Sequence, residues 1–335
     1  MPAELWAKFC GCDSSMMIRK IISGSFPALF FALIALSCSE PASVVSGNGG
    51  SDSVDRMSSE SSDLETTTSE TTPNNDATGS DGTDSMPVEN VNGASWFRSP
   101  DGSVEHQMVL VPGGYFSMGS ETGYPSESPV HAVHVDSFYI DVFEVTVAQY
   151  RECVEAGFCS EPVSAERCEW VEGGPDNHPI NCIYWQQAFD YCGWVGLRLP
   201  TEAEWEKAAR GTDGRTYPWG DGEIDPGLAN YKGTNTAKPV GSYPDGVSPY
   251  GIHDMSGNVW EWVSDWWDEN YYSVTAGDNP KGPGVGEFKV LRSGSWCFLE
   301  FSQRSARREP YDPEVTDMDI GFRCAHDQLN TQTGD

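Results

Sequence analysis

The side chains that could do chemistry are ten cysteines, six histidines and a cluster of arginines near the C-terminus. Thiols either pair as disulfides or, as thiolates, ligate soft metal ions, and the redox compartment decides between the two. Arg304, Arg307, Arg308 and Arg323 form the one basic cluster of an acidic domain. Guanidinium forks of this kind hold carboxylates bidentately, either the protein's own or a ligand's. The histidines carry less. His131 and His134 sit at the wrong spacing for two ligands on one strand face, which alternates with period two. His178, His253 and His326 lack the companion cysteine or carboxylate pattern of a zinc site. No Gly-x-Ser-x-Gly elbow or phosphate-cradling loop is present either.

The elements that must position these groups are set out by charge and composition. The chain has 335 residues with a formal net charge of -31. Such charge opposes sequence-independent binding of DNA or RNA, whose phosphates attract Lys and Arg, and no nucleic-acid partner is expected. It excludes a basic membrane-surface protein as well. Arg19-Lys20 precede an apolar run from Ile21 to Leu36 that ends in small residues, the order of a secretory signal. The run is interrupted by Pro27 and falls short of the ~20 apolar residues that span a membrane. Ala35-Leu36-Ser37-Cys38 resembles a bacterial lipobox, so residues 1–38 read as a signal peptide with Cys38 as the lipidated residue. Residues 1–16 fit no part of a signal, which makes Met16 or Met17 a candidate start and removes Cys10 and Cys12 from the mature chain. The expected location is outside the cytoplasm: a lipoprotein of the outer membrane, periplasm or cell surface.

Residues 39–95 are mostly Ser, Thr, Asp, Glu, Gly and Asn, too poor in apolar groups to offset ordering entropy, and read as a disordered, self-repelling tether. Residues 96–326 are dense in aromatics, Gly and Pro and long enough for one sizeable core, leaving 327–335 as a flexible tail. Short strand-like stretches occur at Met108–Pro112 and His131–Asp136. A helix is predicted over Glu144–Ala156, another over Trp185–Trp194, and a third over Thr201–Arg210, where Thr201 and Glu204 have capping-box spacing. Few helices among many loops and short strands make an irregular, loop-rich α+β domain.

Seven stretches occur in this order: Val111-Pro-Gly-Gly-Tyr-Phe-Ser-Met-Gly119, Phe138-Tyr-Ile-Asp141 with Glu144-Val-Thr146, Leu197-Arg-Leu-Pro-Thr-Glu-Ala-Glu-Trp-Glu206, Tyr217-Pro-Trp-Gly220, Gly257-Asn-Val-Trp-Glu-Trp262, Arg292-Ser-Gly-Ser-Trp296 and Gly321-Phe-Arg-Cys324. Together they resemble the formylglycine-generating enzyme (sulfatase-modifying factor) family across 105–326. The resemblance implies a compact, duplicated C-type-lectin-like fold and a disulfide joining Cys192 to Cys324. Seven cysteines remain once Cys10, Cys12 and Cys38 are set aside. Cys153–Cys159 and Cys168–Cys182 are the favoured further pairs, with cross-pairings open, which leaves Cys297 as a free thiol.

The family's enzymes oxidise a substrate protein's cysteine to formylglycine, using a pair of cysteines after the Gly-Ser-aromatic turn to hold copper(I). Soft thiolates suit that ion. Here Cys297 follows Trp296 directly, the loop is shorter than the enzyme's, and no second cysteine follows before Cys324. One thiolate is a poor copper(I) site, so copper is not expected. Cys297, Ser295, Trp260 and Arg308 match residues bordering the family's cleft and are the candidate catalytic residues. The resemblance also implies calcium at Asp254, Gly257, Val259 and Glu261, with a weaker second site at Asn230 and Tyr231. Carboxylates mixed with carbonyls around a Gly turn suit calcium. The function expected is an exported, tethered, non-catalytic or diverged member that binds a peptide, glycan or protein. The alternatives are an oxygen-dependent oxidoreductase acting on protein cysteine and a structural domain held by calcium and disulfides.

Overall fold

Two of the helices start where a side chain satisfies the otherwise unpaired N–H groups of the first turn. At α1 (Val147–Glu155) the cap is Thr146, whose hydroxyl accepts from Gln149 N while Gln149 Oε1 accepts from Thr146 N. The helix therefore begins three residues later than the apolar spacing predicts, and Glu144 and Val145 stand before it as extended chain. At α3 (Glu202–Arg210) Thr201 and Glu204 exchange the reciprocal bonds of the predicted capping box, and Gly211 ends the helix at φ 68°. Between them α2 spans Trp185–Trp194, the predicted stretch.

This computed structural model describes residues 90–91, 94–275 and 277–327. The signal, Cys38, residues 39–89 of the tether and most of the tail lie outside the described residues. Strand structure starts before Trp96: β1 (Asn90–Val91) pairs antiparallel with β2 (Ala94–Arg98), which shifts the start of the ordered domain upstream of its expected boundary. Small side chains at Ala94 and Ser95 give no apolar signal in the sequence, but their backbone is fixed by β1 and by β3.

Strands β3 (Glu105–Val111), β6 (Phe138–Asp141) and β11 (Ala325–Asp327) continue this sheet in the order β1-β2-β3-β6-β11. A second sheet runs β10-β7-β8-β9, from β7 (Trp260–Trp266), β8 (Lys289–Arg292), β9 (Glu309–Tyr311) and β10 (Ile320–Phe322). β10 lies parallel to β7, in register Gly321 to Glu261. A third sheet is the hairpin of β4 (Gly114–Met118) and β5 (His131–Val135). One core packs α1 and α2 against Trp262, Leu291 and Phe322; the other packs Trp205, Ala208 and Ala209 of α3 on Val133, Val135, Val263 and Val290.

The disulfides are Cys153–Cys159, Cys168–Cys182 and Cys192–Cys324, the pairings favoured from sequence. Cys297 is disulfide-bonded as well, which corrects its reading as a free thiol. That reading rested on removing Cys10, Cys12 and Cys38 from the pool, and these three lie outside the described residues. Among the described residues no helix is long and apolar enough to cross a membrane.

Candidate functional site

The segment after β8 turns at Ser293 (φ 84°) and Gly294 (φ 77°). A Cβ on Gly294 would lie 2.4 Å from Gln303 Oε1 and 2.5 Å from the Ser302 carbonyl, so only glycine lets the loop fold back on itself here. Gln303 then ties the loop from inside, its amide donating to the carbonyls of Ser295 (3.1 Å), Phe298 (3.2 Å) and Leu299 (3.3 Å). The chain is held so that Ser295 is fully buried and donates its hydroxyl to Asp319 Oδ2 at 2.5 Å. Burial, with Asp317 nearby, pushes the Asp319 carboxyl up to about 7. The Cys297 N–H donates to Ser295 Oγ at 3.3 Å, and the Trp260 N–H to the Asp319 carbonyl at 2.7 Å. Trp260 packs edge-on against Phe298, with ring centroids 5.5 Å apart.

Three of the four cleft candidates, Ser295, Cys297 and Trp260, are thus gathered around Asp319. Arg308 is not with them. It is buried with its fork on Glu202 (2.8 Å to each oxygen), donates to the carbonyls of Ser126 and Asp268, and lies 4.3 Å from the ring centres of both Trp267 and Tyr272. Its surroundings are those of a structural ion pair. Glu202 also holds Arg292 at 2.9 Å, Arg292 holds Glu206 at 2.8 Å, and Glu206 holds Arg210 at 2.9 Å. Burial pushes the Glu206 carboxyl up, and Arg292 and Arg210 more than reverse this, leaving it below the ordinary carboxylate range. The rest of the basic cluster is likewise turned on the protein itself: Arg304 on Glu127, Arg307 on Glu309 and Arg323 on Glu261.

The expected calcium ligands lie before and within β7. Glu261 gives its oxygens to Arg323 (2.7 Å twice) and to the Trp205 indole (2.8 Å), and the Gly257 carbonyl accepts from Ser293 Oγ at 3.0 Å. Glu261 does not fit as a ligand, because a fully engaged guanidinium already neutralises it. Val259 is buried in the core. Asp254, held at φ 57°, accepts from Gly241 N–H at 2.6 Å and stands beside a second buried carboxylate, Glu144. Glu144 Oε1 accepts from Asn258 Nδ2 at 2.9 Å, and the Glu144 carboxyl is hydrogen-bonded to that of Asp254. Burial and then Asp254 push Glu144 well above the usual range. Two adjacent buried carboxyls share a proton, and a hard cation in place of that proton would neutralise them equally. At the second expected site, Asn230 Oδ1 accepts from the Thr234 hydroxyl at 2.5 Å. Asn230 donates to Asn258 Oδ1 and Thr236 O, and the Tyr231 hydroxyl to Ile224 O. Among the described residues no three His, Cys, Asp or Glu side chains converge as a metal cluster.

Sequence reasoning missed Asp319, Glu144, Glu202 and Gln303. Glu144 and Glu202 lie inside recognised stretches but their partners are 114 and 106 positions away, beyond any local spacing: Glu144 meets Asn258, and Glu202 meets Arg308. Asp319 had a local marker, its place two residues before Gly321-Phe-Arg323.

The family model that matches the chain is the sulfatase-modifying factor enzyme 1-like domain, over residues 94–328. The formylglycine-generating enzyme of Streptomyces coelicolor is 37% identical over 282 residues, covering 65% of this chain and 88% of that protein. A serine/threonine-protein kinase, pkn1, of Chlamydia pneumoniae is 39% identical over 236 residues, covering 65% of this chain. The match spans only 38% of that kinase's length. In structure the chain resembles PvdO from Pseudomonas aeruginosa, with a TM-score of 0.60 and 25% identity, over 72% of this chain and 99% of PvdO.

Proposed function

The chain belongs to the sulfatase-modifying factor enzyme 1-like family, and from that premise we propose that it is a ligand-binding member of it rather than a cysteine oxidase. The observation that carries the reading is Cys297. It is the one cysteine between Ser295 and Arg308, and it is held in a disulfide. A copper(I) ion needs two soft ligands here, and this segment has one sulfur, already spent. What persists around it is shape: the Ser295–Asp319 bond, the Gln303 clasp and the Trp260–Phe298 contact. The ligand class is a peptide, glycan or protein, bound where the loop meets solvent at Leu299 and Phe301, which are 40% and 44% exposed. The family domain also accompanies a kinase in the chlamydial relative, where it forms a minor part of the chain. Fold alone therefore does not fix the activity.

In this reading the domain works outside the cytoplasm, spaced from the membrane by the acidic segment of residues 39–95. Calcium is part of the proposal, taken at Glu144 and Asp254 instead of Glu261. The chemistry it supplies there is charge neutralisation, and the chain's own residues hold it by carboxylate oxygens.

The test is turnover. The purified full chain is supplied with copper(I) and air, and a Cys-x-Pro-x-Arg peptide is followed by mass spectrometry. The proposal expects the peptide cysteine to remain unchanged. Conversion to the aldehyde, abolished by Cys297→Ser, would establish the oxidoreductase in its place.

A further inference from the structure

The second polar centre of the domain has no part in the loop chemistry. His106 on β3 is 2% exposed, and its Nδ1 lies 2.9 Å from Asp141 Oδ1 on β6. A carboxylate can only accept, so Nδ1 carries a proton, and in the neutral ring this leaves Nε2 bare. Nε2 lies 3.0 Å from the hydroxyl of Tyr191 on α2, which therefore donates to it. Asp141 is itself fixed, its other oxygen accepting from the Cys324 N–H at 2.8 Å. The order is phenol, imidazole, carboxylate, in a line, with the phenol fully buried.

The ring of Tyr191 is also the junction of an aromatic path. It stacks on Tyr150 at 5.5 Å, which meets Trp170 edge-on at 6.1 Å, and it lies 6.0 Å from Trp194. Trp170 and Trp194 are half-buried, so each path leads from the core toward solvent.

We propose that Tyr191 is a redox-active tyrosine, oxidised by one electron through Trp194 or Trp170 as its phenolic proton passes to His106. The oxidant is an external one-electron acceptor, such as a high-valent metal complex. The electron leaves along the aromatic path and reduces that acceptor. The O–H bond breaks, an Nε2–H bond forms, and the products are a neutral tyrosyl radical and an imidazolium held by Asp141. The proton needs this internal acceptor, because burial, with Asp141 nearby, pushes the Tyr191 phenol well above its ordinary range. A hydrogen-bonded buried radical is shielded from the coupling reactions that consume surface ones.

The probe is photogenerated ruthenium(III) tris(bipyridine), with the full chain frozen after illumination and read by electron paramagnetic resonance. The expected result is a long-lived tyrosyl signal that is lost in Tyr191→Phe and retained in Tyr115→Phe, a site 65% exposed. His106→Gln lowers its yield about tenfold, the factor that one lost hydrogen bond is worth. Should that variant fail to fold, protein prepared in D2O decides without it: the radical shows one strongly coupled exchangeable deuteron, from His106. A long-lived signal that survives Tyr191→Phe, or a radical without that coupling, overturns the proposal.

Discussion

Two buried regions are built from neighbouring stretches of the C-terminal half. Around α3, Glu202 and Glu206 are met by Arg292, Arg308 and Arg210, and every one of these carboxylates has a cation on it. Around Ser295, the same stretch of chain holds a hydroxyl, a carboxyl raised to about 7 and a cysteine bound in a disulfide, with no cation opposite Asp319 among its described hydrogen bonds. The first region leaves no freedom, because removing one member strands a buried charge. The second has no such ion pair, so a substitution there breaks hydrogen bonds without stranding a buried charge. A scaffold of this family can thus keep its recognisable sequence while its reactive loop changes.

The sharpest way to break that contrast is Glu202→Gln, which leaves Arg308 and Arg292 underpaired. It is expected to cost about 3–5 kcal/mol, read by thermal or denaturant unfolding. If it costs no more than a loop substitution, the network is not what holds the fold. Next in size is calcium at Glu144 and Asp254. Stripping the ion with EDTA should lower the melting temperature, by an amount corresponding to about 2.7 kcal/mol when the ion was present at a hundred times its Kd. Glu144→Gln should remove that response and Glu261→Gln should not act through the ion. An unchanged melting temperature refutes the cation.

Ser295→Ala is expected to cost about 1–3 kcal/mol, since the Asp319 carboxyl loses its hydroxyl donor in a dry site. The most specific effect is one of pH. Asp319 has a folded pKa near 7 against 3.8 for the ordinary group, so the native state binds the extra proton. Its contribution to stability is full below about pH 4 and is lost as pH rises through 7. Asp319→Asn, which can still accept from Ser295, should remove that decline. A stability profile between pH 4 and 8 that matches the unmutated chain would show that Asp319 does not titrate there.

Much of the fold was legible because local rules apply at the relevant places. Thr201 and Glu204 cap α3 as their spacing requires, and the Gly211 stop follows from φ 68°. The start of α1 was not legible from apolar spacing, since Val145 continues the pattern but Thr146 takes the cap. In the site, Ser295, Cys297 and Trp260 could be named from the motifs that contain them. Arg308 could be named but not placed, because a guanidinium that faces a ligand and one that faces Glu202 look alike in sequence. Asp319 and Glu144 owe their raised pKa values to burial, which no spacing encodes. Cys297 shows the same limit: parity of cysteines gives a thiol count only once the pool is known.

The central claim, that the loop after Trp296 no longer holds a catalytic metal, is tested most directly by copper(I) itself. The full chain is titrated with copper(I) against a competing chromogenic chelator, without reductant for the disulfides. The account predicts that the chelator keeps the metal, and that Cys297→Ser leaves the titration unchanged. Retention of one copper(I) per chain, lost in Cys297→Ser, would contradict it.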